Sequence, residues 1–153
     1  VMDIQNNLLS GIIPTKVGIL SNLQWLVLND NILTGSVPQA LGELIAMQQL
    51  VLSNNNLTGT IPLELGSLRS LQVLDLRSNA LTGDIPSALC KLEAVHTIFL
   101  QSNQLSSGVE YMFNASIQRR LEVVDLSDNL LAGRFGEEVF RLPVLRVLAL
   151  SGK

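Results

Sequence analysis

One register runs through the whole chain. Asparagine recurs at positions 7, 31, 55, 79 and 103 in steps of 24, and then at 129 after a step of 26. Proline keeps the same step at 14, 38, 62 and 86, and glycine at 11, 35, 59 and 83, with Gly108 and Gly133 as later counterparts. Ahead of each asparagine stands an apolar pair: Met2 and Ile4, Leu26 and Leu28, Leu50 and Leu52, Leu74 and Leu76, Ile98 and Leu100, Val124 and Leu126. A seventh pair stands at Leu148 and Leu150. A period of roughly 20 to 50 residues specifies a solenoid or an array, because one unit cannot bury its own apolar face and must stack on its neighbours. Leucine supplies 31 of the 153 residues and aromatic residues only 4%, which suits many thin, similar layers of core.

Each unit reads the same way. In LQVLDLRSN, residues 71–79, the alternation has period 2 and predicts a strand with one buried face. Leu71, Leu74 and Leu76 point into the coil, and Val73, Asp75 and Arg77 point out. Asn79 ends the strand. An inward asparagine carries two donors and an acceptor, and it meets that demand only on turn backbone of its own and adjacent coils. Asn7, Asn31, Asn55, Asn79, Asn103 and Asn129 are therefore expected to form a ladder. Gly83 permits a backbone conformation that a side chain opposes. Pro86 fixes its own φ and donates no hydrogen bond, which suits the start of a short helical or extended turn. The SALCKL segment then returns the chain over the far side.

These residues resemble the plant-type leucine-rich repeat, whose unit reads LxxLxLxxNxLTGxIPxxLGxLxx. Residues 47–70, MQQLVLSNNNLTGTIPLELGSLRS, fit it almost position by position, with Met47 in place of the leading leucine. The resemblance covers essentially all 153 residues as one domain, five full units of 24 to 26 residues between two partial ones. It implies an α/β solenoid with a parallel β-sheet on the concave face. Short strands, turns and 3-10 helices lie on the convex side, and the TGxIP segment implies a second short strand and a superhelical twist. Two units depart from the pattern. Residues 95–120 carry two extra residues and lack Gly-x-Ile-Pro, and residues 121–144 have AGRFG where TGxIP is expected. A kink or bulge on the convex side is expected there. The chain starts and stops within units and shows no capping module, so it is expected to be an excerpt of a longer protein.

No apolar run approaches the roughly 18 residues of a membrane span, and no targeting segment is visible. A net charge of −3 is too weak to imply nucleic acid or an anionic membrane. Catalytic, cofactor and metal sites are not expected: there is one histidine, His96, and no nucleophile elbow, phosphate loop or metal-spaced Cys/His cluster. Cys90 stands where the unit has the glycine of LGxL, and it is expected to be a small buried hydrophobe. Glu137 and Glu138 read as a solvated pair.

The outward strand positions are the candidate partner-binding surface. Across the coils they form lanes. The first runs through Trp25, Gln49, Val73 and Thr97, and the second through Val27, Val51, Asp75, Phe99 and Asp125. A third contains Arg77 and a fourth Asp30 and Asp128. Strands lie roughly 4.8 Å apart, so one partner can cross all of them. Trp25 and Phe99 are hot-spot residue types, Val27, Val51 and Val73 make an apolar strip, and the aspartates favour basic groups on a partner. Two N-glycosylation triplets occur: Asn56-Leu57-Thr58, expected to face outward, and Asn114-Ala115-Ser116, expected to be accessible. An open solenoid without catalytic residues is a recognition surface. The resemblance implies the extracellular recognition region of a receptor-like protein or receptor-like kinase, at the plasma-membrane surface or secreted. Its ligand would be a protein or peptide, with a co-receptor possible and no cofactor, nucleic acid or membrane contact. The alternatives are a secreted inhibitor of an enzyme such as a cell-wall hydrolase, and an intracellular scaffold. An ice-binding or matrix solenoid is disfavoured because the lanes mix Asp, Arg, Gln and Trp.

Overall fold

The structure, a computed structural model, describes residues 1–152. Two parallel sheets run along the stack. The long sheet joins β1 (Met2–Asp3), β3 (Trp25–Val27), β5 (Gln49–Val51), β7 (Val73–Asp75), β9 (Thr97–Phe99), β11 (Val123–Asp125) and β12 (Val147–Ala149) in chain order. The short sheet joins β2 (Ser10–Ile12), β4 (Ile32–Ser36), β6 (Asn56–Gly59), β8 (Ala80–Asp84) and β10 (Gln104–Ser107). The return segments are 3-10 turns: η1 (Thr15–Ile19), η2 (Gln39–Glu43), η3 (Leu63–Ser67), η4 (Ser87–Lys91), η5 (Val109–Tyr111) and η6 (Glu137–Arg141). In η1 to η4 a proline in extended conformation stands immediately before the turn and its carbonyl starts it, where a fixed φ and a missing N–H cost nothing. No helix of the described residues is long and apolar enough to cross a membrane.

The 24-residue step sets the register. Leu26 pairs with Leu50, Leu50 with Leu74, and Leu74 with Ile98. Like therefore lies beside like, and each coil contributes one layer of core: Leu50, Leu52, Leu57, Leu65, Leu68 and Met47 are all fully buried. Burying each such side chain contributes about 1.5–3 kcal/mol.

The asparagine ladder forms between coils. Asn79 Oδ1 accepts the Leu57 N–H of the preceding coil at 3.0 Å, and its Nδ2 donates to Leu52 O of that coil and to Leu76 O and Arg77 O of its own. Asn31, Asn55 and Asn103 repeat the arrangement. Asn129 does so across the lengthened unit, reaching Leu105 N and Leu100 O. Asn7 differs: it is exposed and bonds only Ile4 O and Gln5 O of its own turn.

The glycine of LGxL sets how closely successive 3-10 turns stack. A Cβ on Gly66 would lie 2.3 Å from the Ala88 carbonyl oxygen of the next coil, and one on Gly42 would lie 2.4 Å from that of Glu64. Cys90 occupies the equivalent place but is half-buried, not buried as the sequence suggested. The coil after it is the irregular one, where η5 is shortened and no close-stacked turn meets the side chain. There the strand pairing of β10 on β8 carries a bulge between Leu105 and Ser107. Gly108 follows at φ 95 so near Ile85 that a Cβ would fall 2.2 Å from its carbonyl oxygen. The short sheet stops at β10. The AGRFG segment forms no strand, although Leu130 and Ala132 still donate to Leu105 O and Ser106 O. The expected irregularity thus falls in the two units that break the repeat.

Candidate ligand-binding face

The open face of the long sheet holds the residues of the first two lanes. Trp25 is 40% exposed, with its indole N–H directed to Gln48 Oε1 at 3.5 Å. It pairs laterally with Gln49, which pairs with Val73. Val27 and Val51 lie side by side on β3 and β5, and Val73 on β7 stands diagonal to Val51, beside Gln49; all four are half-buried. Phe99 is half-buried rather than open, because the Arg77 guanidinium sits over its ring, 5.1 Å from the centroid. Such stacking is worth roughly 0.5–1 kcal/mol at an exposed site and more when desolvated.

Three expected positions change role. Asp75 is not an exposed acid: it is 4% exposed, accepts the Ser53 hydroxyl at 3.1 Å and pairs with Arg77 Nη2 at 3.3 Å. Ser53, outward by alternation, is itself buried beside it. Desolvation raises the Asp75 pKa above the usual carboxylate value, and the Arg77 charge and hydrogen bonds from Arg77 N–H and Ser53 pull against that rise. Asp30 lies past the end of its strand in a left-handed turn at φ 55, as do Asn6, Asn54, Ser78, Ser102 and Asp128, so the fourth lane is a row of turns and not of strand residues. The Asp30 carboxylate is engaged by Asn29 Nδ2 at 2.6 Å and Asn54 Nδ2 at 2.9 Å. Asp125 is half-buried and accepts both the N–H and the hydroxyl of Ser127. On the third lane, Asn29 Oδ1 and Gln101 Oε1 are buried without a hydrogen-bond partner among the described residues. Each such acceptor costs about 1–3 kcal/mol unless something donates to it.

The sequons differ. Asn56 is exposed on β6. Asn114 is only half-buried instead of open, and its Oδ1 accepts the Ser116 N–H at 3.0 Å. His96 is half-buried at the start of a strand, and its backbone carbonyl serves the next coil. No cluster of His, Cys, Asp and Glu able to hold a metal occurs among the described residues. Sequence reasoning missed two features. One is the Ser53–Asp75–Arg77–Phe99 cluster, which spans three coils and becomes visible only once residues 22 and 24 apart are placed side by side. The other is an open groove of about 860 Å³ between the short sheet and η2 to η4, lined by Thr60, Leu63, Glu64, Cys90 and Lys91 among others. Its only sequence signal is the repeated Pro-x-x segment, which marks a turn and not a hollow.

Residues 1–57 and 50–105 match the leucine rich repeat family. No curated protein sequence matches the chain. Among solved structures, PEPR1 bound to AtPEP1 superposes with a TM-score of 0.88 at 34% identity, over 97% of this chain and 21% of that one. A TDR receptor gives 0.88 at 30% identity over 96% and 25%. The Arabidopsis receptor kinase HAESA ectodomain, in complex with an IDA peptide hormone ligand, gives 0.88 at 30% identity over 98% and 25%. The chain spans about a quarter or less of the length of these receptors. It superposes on all three over nearly its whole length, and it belongs to the leucine-rich repeat family.

Proposed function

We propose that this segment is a non-enzymatic protein- or peptide-binding module. Its ligand lies across the open face of the long sheet, in the extracellular part of a receptor-like protein or receptor-like kinase. The observation that carries the reading is the strip from Trp25 through Val27, Val51 and Val73 to the Arg77–Phe99 stack. An aromatic anchor, an apolar band and a fixed cation follow one another across four neighbouring strands. Interfaces concentrate their energy in such aromatic and arginine residues. The complex of the HAESA ectodomain with an IDA peptide hormone ligand supports a peptide as the ligand class. A co-receptor as a second partner belongs to the same reading.

The test is selection of binding peptides on the immobilised protein from a displayed library. Affinities are then measured for Trp25→Ala and Phe99→Ala. Each substitution is expected to weaken a selected peptide by about 2 kcal/mol or more. Peptides that bind both variants unchanged, with folding intact, move the site off the long sheet. Localisation is tested by the intact mass of the protein from its own cells before and after N-glycan removal. Loss of mass on deglycosylation, at the exposed Asn56 first, supports a secretory route. An unchanged mass turns the reading toward an intracellular scaffold. A secreted inhibitor is the second reading, favoured if the soluble protein slows a cell-wall hydrolase.

A further inference from the structure

The lengthened unit contributes a feature that no regular coil has. Where the chain turns back from the 3-10 side into the long sheet, a cleft of about 450 Å³ is lined by Arg69, Glu93, Ser116, Ile117, Arg119 and Arg120. Three arginines and one glutamate thus line the cleft, and the glutamate's carboxylate is already held by Arg69 at 2.8 Å. Arg119 Nε donates to the Ser116 carbonyl at 3.2 Å, and neither Arg119 nor Arg120 forms an ion pair among the described residues. Both are exposed. The cleft carries three arginines against one glutamate in a chain whose net charge is −3.

The segment that carries these arginines is tied down. Gln118 is fully buried: its Nε2 donates to Leu89 O at 3.1 Å and Met112 O at 3.3 Å, and its Oε1 accepts the Asn114 N–H at 2.9 Å. Ala115 N–H is held by Glu138 Oε2 of the next unit at 3.0 Å. Past Gln118 the regular turn resumes, because Arg119 N–H bonds Ile117 O just as Arg69 N–H bonds Ser67 O. The arginines are therefore presented from fixed backbone, which lowers the entropy lost when their planar forks grip a carboxylate.

We propose that this cleft docks an acidic segment of a partner protein, with Arg119 and Arg120 gripping its carboxylates. The site is separate from the sheet face and does not depend on a ligand there. The cleft has no aromatic platform on which a base could stack, and no run of basic residues tracks a backbone across the coils, so a polypeptide fits better than a nucleic acid. Guanidinium–carboxylate pairing is bidentate and charge-assisted, which gives such a cleft its selectivity.

The experiment uses a fluorescent peptide of alternating Glu and Gly, with anisotropy read on the whole protein at physiological ionic strength. Binding is expected, and the double variant Arg119→Glu/Arg120→Glu is expected to weaken it about tenfold or more. Arg134→Glu, an exposed arginine elsewhere, is expected to leave it unchanged. Arg119→Gln/Arg120→Gln serves if charge reversal impairs folding, with melting curves as the control. The proposal is overturned if the wild-type protein does not bind the peptide, or if Arg134→Glu weakens it equally. It is also overturned if an oligothymidylate of equal charge competes as well as unlabelled peptide.

Discussion

The coils from residue 25 to residue 94 and the coil that follows solve the same problem in different ways. In the regular coils a glycine at Gly42 or Gly66 lets one 3-10 turn stack on the next at a distance that excludes even a methyl group. In the lengthened coil that stacking is given up. Cys90, in the last regular coil, fills the glycine's place, Gly108 makes the close approach to Ile85 instead, and a buried Gln118 donates to Leu89 O and Met112 O. The asparagine side chain does the same work in both. Asn129 still spans to the preceding coil, though the sequence distance to its partners has grown by two, from 22 and 27 to 24 and 29. The comparison teaches that the repeat has one fixed side and one negotiable side. The turn after the long sheet is invariant, and the opposite side absorbs insertions.

The sharpest way to break that comparison is to move one residue between its halves. Gly66→Cys places in a regular coil the side chain that the chain accepts at position 90. With backbone 2.3 Å from the new Cβ, it is expected to cost about 3 kcal/mol by overpacking. Cys90→Gly is expected to cost less than about 1 kcal/mol. Urea midpoints of the two variants measure the difference, and equal midpoints would mean that the coils do not stack as described. A smaller effect is expected on the fixed side. Asn79→Leu strands the Leu57 N–H and takes one of two donors from each of Leu52 O, Leu76 O and Arg77 O, for about 1–3 kcal/mol, whereas Asn7→Leu, whose bonds are exposed and within its own turn, costs less. Thermal melts of the pair rank them. The smallest effect is the pH response of Asp75. Its folded pKa is raised, so stability is fully present below the unfolded value near 3.8 and declines as pH rises through the folded value. Asp75→Asn is expected to remove that decline from a series of urea midpoints taken across the acid range. An unchanged slope would place the carboxylate in water.

The sheet, the ladder and the core were legible because each rests on a residue type with one physical use, repeated in register. Leu50, Asn79 and Pro86 could be placed without a structure. The binding face was less legible. Alternation says which side of a strand Asp75 leaves from, but not that Ser53 and Arg77, one coil back and two residues on, close over it. Asp30 reads as a strand residue because the alternation runs on past the point where the backbone turns left-handed. The arginine cleft is not legible in the sequence, since Arg69 and Arg119 stand 50 residues apart in the chain and come to line one cleft only through stacking.

The asparagine ladder has a direction. Each inter-coil bond of Asn31, Asn55, Asn79, Asn103 and Asn129 reaches to the coil made before it, and none of these side chains reaches to the coil made after. A coil can therefore complete its polar accounts as soon as it lies down on finished structure, in the order in which a ribosome delivers it. Shortening the stack from its far end leaves every remaining rung whole. Shortening it from the start turns the next asparagine into another Asn7.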